Sequence, residues 1–356
     1  MRQFLDRIAW AVAGISTTLL VLVATGVVDA GSLDPPGPPG PTMKSLEQVE
    51  PRTPISSLPY TISQPGSYYL TGNLTGVAGQ QGISITSPSV TLDLSGFELK
   101  GVPGAYNGIY FYVGGRAYIH GGTVRGWPAS GIYGTGEGIT ISYVNAVDNG
   151  QYGILLSNGV LENCNASRNG STGIYTSYSV ISGCTTSENL GGGFLLSSSR
   201  LQDCVSAGDT GDGITAYSST IDGCTVSYST DDGIVISDGS QVRNSTATRN
   251  GNDGFELLGN ALAVGNNSYN NGEFTGSSGF WVQGSRNVID RNQASAGNYQ
   301  ETGFATDGTG NTFINNTSAG HVVNGSNYSI ATSATTSGPV AAPNTATNPF
   351  TNIAVP

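Results

Sequence analysis

The sequence predicts an all-β fold: a right-handed parallel β-helix, or solenoid, of about eleven coils with three short strands in each coil. Three features support this prediction: a repeat of about twenty residues, alternation of apolar and polar residues inside the repeat, and turn residues at fixed places. The repeat starts at a glycine that precedes isoleucine or phenylalanine, and consecutive starts are 20 to 26 residues apart. The glycines that mark it are Gly82, Gly108, Gly131, Gly153, Gly173, Gly193, Gly213, Gly233, Gly254, Gly279 and Gly303.

Within each repeat, three short extended pieces are separated by corners. The first piece follows the glycine, as in GILL from Gly153, where alternation places Ile154 and Leu156 on one face. A repeat of this length has no room for a crossover helix, so the strands of successive coils must stack directly, about 4.8 Å apart. One corner carries residues that tolerate a left-handed backbone, as a sharp turn requires. These residues are Asn163, Gly183, Asp203, Gly223 and Asn244.

The cysteines of the chain predict one vertical column in this stack. They are spaced twenty residues apart, so they occupy the same inward position on consecutive coils: Cys164, Cys184, Cys204 and Cys224. Cysteine suits a buried column of small side chains. Parallel strands also hold neighbouring Cβ atoms farther apart than a relaxed disulfide requires. We expect later coils to fill the position with Ser245, Asn267 and Gln293, and Thr317 is a further candidate.

The N-terminal residues predict a targeting segment. Arg2 and Arg7 precede an uncharged run from Ile8 to Val28, and the small residues that follow fit a cleavage site. We expect residues 1–30 to be a signal peptide or an uncleaved N-terminal membrane anchor. Either interpretation places the rest of the chain outside the cytoplasm, as a secreted, periplasmic or cell-surface protein.

Composition divides the remainder of the chain into three further segments. Residues 31–54 are a Pro/Gly-rich linker, 55–320 are the parallel β-helix domain with its N-terminal cap, and 321–356 are a Ser/Thr/Asn-rich C-terminal tail or closing segment. The net charge of -11, with lysine only at Lys44 and Lys100, argues against a nucleic-acid partner, because such binding needs clustered basic residues. We expect contact with a membrane only through the N-terminal segment, if it stays uncleaved.

Three stretches resemble a known family. VTLDLSGFELKG (Val90 to Gly101) and GGTVRGW (Gly121 to Trp127) resemble the opening coils of exported bacterial right-handed β-helix repeat proteins. EPRTPISSLPYTISQPGSYYLTGNL (Glu50 to Leu74) resembles the segment that caps such domains, and the resemblance covers roughly residues 50–320. More distantly, the chain is similar to the pectin-lyase-like superfamily. That resemblance implies the parallel β-helix fold. The members of this superfamily include polysaccharide lyases, glycoside hydrolases, epimerases and non-catalytic surface proteins.

A column of aspartates is the first candidate site. Asp212, Asp232 and Asp253 precede the repeat glycine on three consecutive coils, and Asp209 and Asp231 lie beside them. Stacked carboxylates at this spacing raise each other's pKa values or recruit a cation. Asp212, Asp231 and Asp232 are therefore candidate catalytic acids or bases, while Asp212, Asp232 and Asp253 are candidate calcium ligands. Asp before Gly is also common at turns, so a purely structural role stays open.

A second resemblance bears on the same residues. STDDGIVI (Ser229 to Ile236) resembles the Asp-Asp motif of polygalacturonase-type hydrolases, and DTGDG (Asp209 to Gly213) loosely resembles their Asn-Thr-Asp motif. The resemblance implies that Asp212, Asp231 and Asp232 form the acid/base group. The next coil departs from that family, since it reads GNDGF (Gly251 to Phe255) where a Gly-His-Gly motif is expected, and no Arg-Ile-Lys motif follows.

An outward column of large side chains is the second candidate site. It occupies the position two residues after each repeat glycine, where alternation points the side chain to solvent. Tyr110, Tyr133, Tyr175 and Trp281 in this column are candidates to bind a polysaccharide, because aromatic rings offer an apolar face to sugars. The alternative is that loops, the C-terminal tail or another subunit cover the column.

Two functions follow from these features. The first is an exported β-helix that binds, or processes as a hydrolase or lyase, an extracellular polysaccharide along an elongated face. The alternative is a non-catalytic cell-surface structural or adhesion protein. Calcium is the one cofactor that the aspartates suggest.

Overall fold

The computed structural model describes residues 51–112, 115–272, 276–296, 302–321, 327–330, 336–337, 340–341 and 351–355. The expected signal peptide or anchor, most of the linker and much of the C-terminal tail lie outside the described residues. The described residues of 52–356 belong to one compact unit. Among them there is no helix, and so none long and apolar enough to cross a membrane.

The strands pair in parallel, and each pairs with its counterpart on the next coil, as predicted. About twelve turns stack in this way. The first of the three strand stacks contains Tyr60–Ile62, Ile83–Ile85, Ile109–Phe111, Ile132–Val147, Ile154–Glu162, Ile174–Ser177, Phe194–Ser197, Ile214–Tyr217, Ile234–Ser237, Phe255–Leu257, Ser278–Val282, Thr302–Thr306 and Tyr328–Ile330. The second adds Thr53–Ile55, Gly66–Leu70, Val90–Asp93, Ala117–Arg125, Val180–Ser182, Arg200–Gln202, Thr220–Asp222, Gln241–Arg243, Leu262–Val264, Val288–Asp290, Thr312–Ile314 and Thr336–Ser337.

The third stack closes each coil. Its strands are Leu74–Thr75, Glu98–Lys100, Asn165–Ser167, Thr185–Ser187, Val205–Ala207, Thr225–Ser227, Thr246–Thr248, Asn267–Tyr269, Gln293–Ser295, Thr317–Ala319 and Asn352–Val355, with Val340–Ala341 paired to the last. Three long strands turn a corner and serve two or three stacks: Ala117–Arg125, Ile132–Val147 and Ile154–Glu162.

The core is a set of vertical columns, as the alternation predicted. Ile154 and Leu156 point inward and are fully buried. Toward the C-terminal end the same column becomes aromatic. The rings of Phe255 and Phe280 stack with centroids 4.6 Å apart, and those of Phe280 and Phe304 with centroids 4.9 Å apart. These distances match the strand spacing of about 4.8 Å, so one flat ring per coil fills the interior without gaps.

Buried asparagines satisfy the backbone at one corner. The Nδ2 of Asn169 donates to the carbonyl of Ala146 in the preceding coil and to Oδ1 of Asn189 in the following one, at 3.1 and 2.9 Å. That Oδ1 atom also accepts the backbone N–H of Asn169 at 3.0 Å. The repeat glycine is needed here, because a Cβ on Gly153 would lie 2.7 Å from the Nδ2 of Asn169. The glycine of the repeat is therefore required by close packing against the asparagine.

The cysteine column is confirmed, and its continuation needs a correction. All four cysteines are buried and free, and the N–H of Cys184 donates to Sγ of Cys204 at 3.3 Å. Ser245 continues the column as expected, but Asn266 follows it, because Oδ1 of Asn266 accepts the N–H of Ser245 at 3.0 Å. The later members are Asn292, Asn316 and Asn352. The prediction of Asn267, Gln293 and Thr317 was wrong by one residue, since each of these begins the outward-facing strand.

Candidate functional site

The predicted outward column lies on the outer face of the first strand stack, one residue per coil in vertical register. We call it the outer strip. Most of its side chains are half-buried, and two, Val235 and Ala305, are buried. From the N-terminal end, the outer strip reads Ser84, Tyr110, Tyr133, Leu155, Tyr175, Leu195, Thr215, Val235, Glu256, Trp281 and Ala305.

Aromatic rings form two separate parts of the outer strip. At the N-terminal part, the rings of Tyr110 and Tyr133 are stacked 5.1 Å apart, and the exposed Tyr112 lies 4.5 Å from Tyr110. Tyr175 is close to the ring of Tyr152, at 5.6 Å. Trp281 is seven coils away from Tyr133 and pairs with Glu256 below it and Ala305 above it. The four residues predicted to bind sugars therefore share one face, in two places.

The aspartates lie where the chain enters the first strand stack. Asp212, Asp231 and Asp232 each place a carboxylate oxygen within 4.8 Å of the others. Their environments differ, because Asp231 is exposed, Asp212 is half-buried and Asp232 is buried. The three residues predicted to be catalytic are thus brought together.

Hydrogen bonds tie the same carboxylates to the coils. The Oδ1 of Asp232 accepts the backbone N–H of Asp253 at 2.7 Å, and Asp253 accepts the backbone N–H of Ser278. The Oδ2 of Asp212 accepts the hydroxyl of Thr215, a member of the outer strip, at 2.9 Å. These hydrogen bonds show that Asp232 and Asp253 stabilise the corner of the coil, in addition to being candidate site residues.

Burial and mutual repulsion raise the pKa values of these acids. Burial, followed by the charges of Asp253 and Glu256, raises the pKa of Asp232 to about 8. Burial and then the charges of Glu256 and Asp231 raise the pKa of Asp253 to about 7. The pKa of Asp212 is raised by burial and by the charge of Asp231, although its bond from Thr215 opposes the shift. Strongly raised pKa values in one place are typical of functional sites, but also occur in structural clusters.

Glu256 is a member of this group that was not predicted as a site residue. It is half-buried on the outer strip, and burial followed by the charges of Asp212 and Asp231 raises its pKa. The sequence did contain a signal, since Glu256 is the one ionisable carboxyl in the outward column and follows the coil of Asp232. We call Asp212, Asp231, Asp232, Asp253 and Glu256 the acidic group.

Asp209 does not belong to the acidic group, contrary to the sequence-based expectation that it lies beside the other aspartates. It is fully buried inside the coil at the place of a ladder asparagine. Its carboxylate accepts the N–H and the Nδ2 of Asn189, both at 2.8 Å, and the hydroxyls of Thr186 and Ser206 at 3.1 and 2.7 Å. Four donors satisfy this buried carboxyl group, so Asp209 stabilises the fold.

The metal prediction is matched only in part by the geometry. Asp212 and Asp232 lie in the compact set of three carboxylates, and the third member is Asp231 in place of the predicted Asp253. Carboxylate oxygens at this spacing are the ligands that Ca²⁺ prefers, although Ca²⁺ normally takes six to eight of them. Calcium at Asp212, Asp232 and Asp253 stays a prediction.

Comparison with known proteins agrees with the architecture. A family model described as a right handed beta helix region matches residues 81–220. The match covers less than half of the chain, and the described residues as a whole have the right-handed parallel β-helix fold. This confirms the fold and the resemblance that the sequence indicated. No curated protein matches the sequence of this β-helix.

Two solved structures are similar to this β-helix. One is the A-module of the mannuronan C-5 epimerase AlgE6 of Azotobacter vinelandii, with 16% identity, a TM-score of 0.65, and coverage of 77% of this chain and 91% of that chain. The other is the A-module of the mannuronan C-5 epimerase AlgE4 of the same organism, with 15% identity, a TM-score of 0.62, and coverage of 77% and 90%. At these identities the likeness concerns the fold alone.

Proposed function

We propose that this protein binds an extracellular polysaccharide along the outer strip, and that the acidic group marks the place where a bound chain is processed. The observation that carries the proposal is the register of the outer strip. It places Glu256 directly beside Trp281, and Thr215 within a hydrogen bond of Asp212. A stacking surface and a group of acids thus share one continuous face.

The binding part of the proposal depends on the aromatic rings. Tyr and Trp present an apolar ring face and a polar edge, which suits the two kinds of surface on a sugar. The outer strip repeats at the strand spacing of about 4.8 Å and extends over eleven coils, so an extended polymer is a better fit than a small molecule. The two similar structures named as mannuronan epimerases support a polysaccharide ligand.

The processing part depends on the acidic group. Because its pKa is raised to about 8, Asp232 keeps its proton at neutral pH and is suited to protonate a leaving oxygen. Asp231 is exposed and can accept a proton from water or act as a nucleophile. Oxygens within 4.8 Å of one another are closer to the separation of retaining hydrolases, about 5–5.5 Å, than to that of inverting ones.

A non-catalytic surface or adhesion protein is the second candidate. The observation that favours it is the hydrogen bonding of Asp232 and Asp253 to corner N–H groups of the next coil. Both candidates place the protein outside the cytoplasm, as a secreted, periplasmic or cell-surface molecule.

A glycan array tests the binding proposal with the full chain, in calcium and in chelator. We expect binding to at least one polysaccharide, and loss of that binding in Trp281→Ala. The matched control is Tyr269→Ala, because Tyr269 is an exposed aromatic residue on the third strand stack, away from the outer strip. Absence of binding to every glycan under both conditions would refute the proposal.

Release of reducing sugar from a bound glycan separates the two candidates. We expect release by the wild type and its loss in Asp232→Asn, which removes the proton donor but keeps Oδ1 as an acceptor for the N–H of Asp253. Asp238→Asn, at an exposed corner, is the control that should retain release. Binding without release in the wild type would favour the non-catalytic candidate.

A further inference from the structure

We propose that the glycan bound by the outer strip carries free amino groups, as a polymer of unacetylated glucosamine does. This inference rests on the proposed function, and it names the class of polysaccharide. The argument is charge complementarity between the outer strip, with the acidic group at its centre, and its ligand.

Among the residues that the structure describes, no ion pair compensates the negative charge at the outer strip. Within the part of the chain that the structure describes, the ion pairs involve other acids, such as Asp93 with Arg52 and Asp148 with Arg168. None of them includes a member of the acidic group. The outer strip contains no lysine, arginine or histidine.

The acidic group is in reach of a glycan stacked on the outer strip. Glu256 and Trp281 are neighbours in register, so their Cα atoms are about one strand spacing apart, roughly 4.8 Å. A sugar on the indole ring would therefore present its substituents to the Glu256 carboxylate. On the next coils toward the N-terminus the same polymer would pass Asp212, which accepts the hydroxyl of Thr215 on the outer strip, and Asp231, whose carboxylate lies within 4.8 Å of that of Asp212.

The sign of this charge selects among glycans. A polymer with a carboxylate on each sugar would place further negative charge beside acids that already repel one another, and the whole chain carries -11. An ammonium group would relieve that repulsion and form charge-assisted hydrogen bonds with the carboxylates. It would also gain from the face of the Trp281 ring through a cation–π interaction.

Burial, followed by repulsion from neighbouring acids, raises the pKa values of Asp232 and Asp253 to about 8 and about 7, so the free protein retains protons at these carboxyls near neutral pH. A bound ammonium ion would favour the ionised carboxylates, so binding of the amino sugar should release protons. A neutral polymer would produce no such release. Proton release is therefore a second readout, independent of affinity.

Titration calorimetry of the full chain tests the proposal with three hexamers: glucosamine, N-acetylglucosamine and mannuronate. At a mildly acidic pH, where the amines are charged, we expect glucosamine to bind at least about tenfold more tightly than N-acetylglucosamine, since each charge-assisted contact is worth more than a neutral one. Buffers with different ionisation heats should report proton release. Glu256→Gln should lower the affinity for glucosamine hexamer several-fold, whereas Glu162→Gln, an exposed control on the second strand stack, should not.

The alternatives give different results. Equal affinity for the acetylated hexamer would overturn the inference and leave the proposed function intact. Mannuronate binding in calcium that disappears in chelator, and exceeds glucosamine binding, would also overturn it, because the acidic group would then hold a cation that bridges to an acidic glycan. A lysine hexamer could also bind as tightly as the glucosamine hexamer and keep that affinity in Trp281→Ala. This result would show that any cationic polymer binds through charge alone, and it would overturn the inference. Absence of binding to any sugar would contradict the proposed function itself.

Discussion

The Oδ1 atom of Asp232 accepts the backbone N–H of Asp253 at 2.7 Å, which joins two buried carboxylates on consecutive coils. The bond lowers the pKa of Asp232, but burial and the charge of Asp253 outweigh it and raise that pKa to about 8. The pKa of Asp253 is raised to about 7, again mainly by burial and then by the charges of neighbouring acids. Ionisation of this pair therefore costs stability at neutral pH, although each residue also supports a corner.

We predict that the protein is more stable at about pH 5 than at about pH 8. Because the folded pKa values lie above the ordinary aspartate value of about 3.9, the folded state binds more protons than the unfolded state between these limits. The stability is fully present below the unfolded pKa and is lost as pH rises through the folded pKa. Thermal unfolding measured across this range should show a falling Tm.

The variant Asp232→Asn isolates this effect. Asparagine cannot ionise, and its Oδ1 can still accept the N–H of Asp253, so the Tm of the variant should change less between the two pH values. Asp238→Asn, at an exposed corner, should behave like the wild type. A pH dependence in Asp232→Asn as steep as in the wild type would show that the pair is not its source.

We predict that the cysteine column tolerates serine better than valine. Sγ of Cys204 accepts the N–H of Cys184 at 3.3 Å and donates to the carbonyl of Gln202 at 3.2 Å. Serine can make both bonds, as Ser245 does in the same column, where its hydroxyl accepts the N–H of Cys224 and donates to the carbonyl of Arg243.

Cys204→Val fills a similar volume but leaves the N–H of Cys184 without an acceptor, at a cost of about 1–3 kcal/mol. Chemical denaturation should therefore rank the wild type and Cys204→Ser above Cys204→Val in the free energy of unfolding. The opposite ranking would mean that apolar packing dominates this column. Because the four cysteines are free and buried, we also expect no change in stability on addition of reductant.

The sequence was enough to predict the coil and most columns, because one residue type recurs at one spacing. It failed where the repeat lengthens: Ser245 and Asn266 are 21 residues apart, and Asn266 and Asn292 are 26 apart. A slip of one residue reverses the face of a strand. For this reason Asn267, which faces outward, was predicted in place of Asn266.

Only part of the candidate site was accessible from sequence. The column of Asp212, Asp232 and Asp253 could be predicted, because these residues share one repeat position. Asp209 was wrongly grouped with them, although Asn149, Asn169 and Asn189 occupy its position in earlier coils and mark it as internal. The raised pKa values depend on the depth of each carboxylate, and no spacing in the sequence encodes that depth.

We predict that the repeat glycine cannot be replaced even by alanine. A Cβ on Gly153 would lie 2.7 Å from both the Nδ2 of Asn169 and the carbonyl oxygen of Gly173. Relief of this overlap requires a shift of the backbone or the ladder, which costs about 1–3 kcal/mol. Denaturant unfolding of Gly153→Ala should show this loss.

Gly72→Ala is the matched control, because nothing lies within 4 Å of its added Cβ and its φ is not positive. There the unfolded chain loses conformational freedom, so stability should stay unchanged or rise by about 0.4–1 kcal/mol. Equal loss in both variants would contradict the packing explanation for the repeat glycine.

Finally, we predict that Asp209 contributes to stability as a ladder residue, independent of the acidic group. Its carboxylate accepts the N–H and the Nδ2 of Asn189 and the hydroxyls of Thr186 and Ser206. Asp209→Ala should therefore remove the acceptor of four buried donors and lower the free energy of unfolding by about 1–3 kcal/mol for each donor that stays unpaired. Asp209→Asn keeps an acceptor at Oδ1 and resembles the neighbouring coils, and it should therefore remain closer to the wild type. Glycan binding should be unchanged in Asp209→Asn, and its loss there would place Asp209 in the site after all.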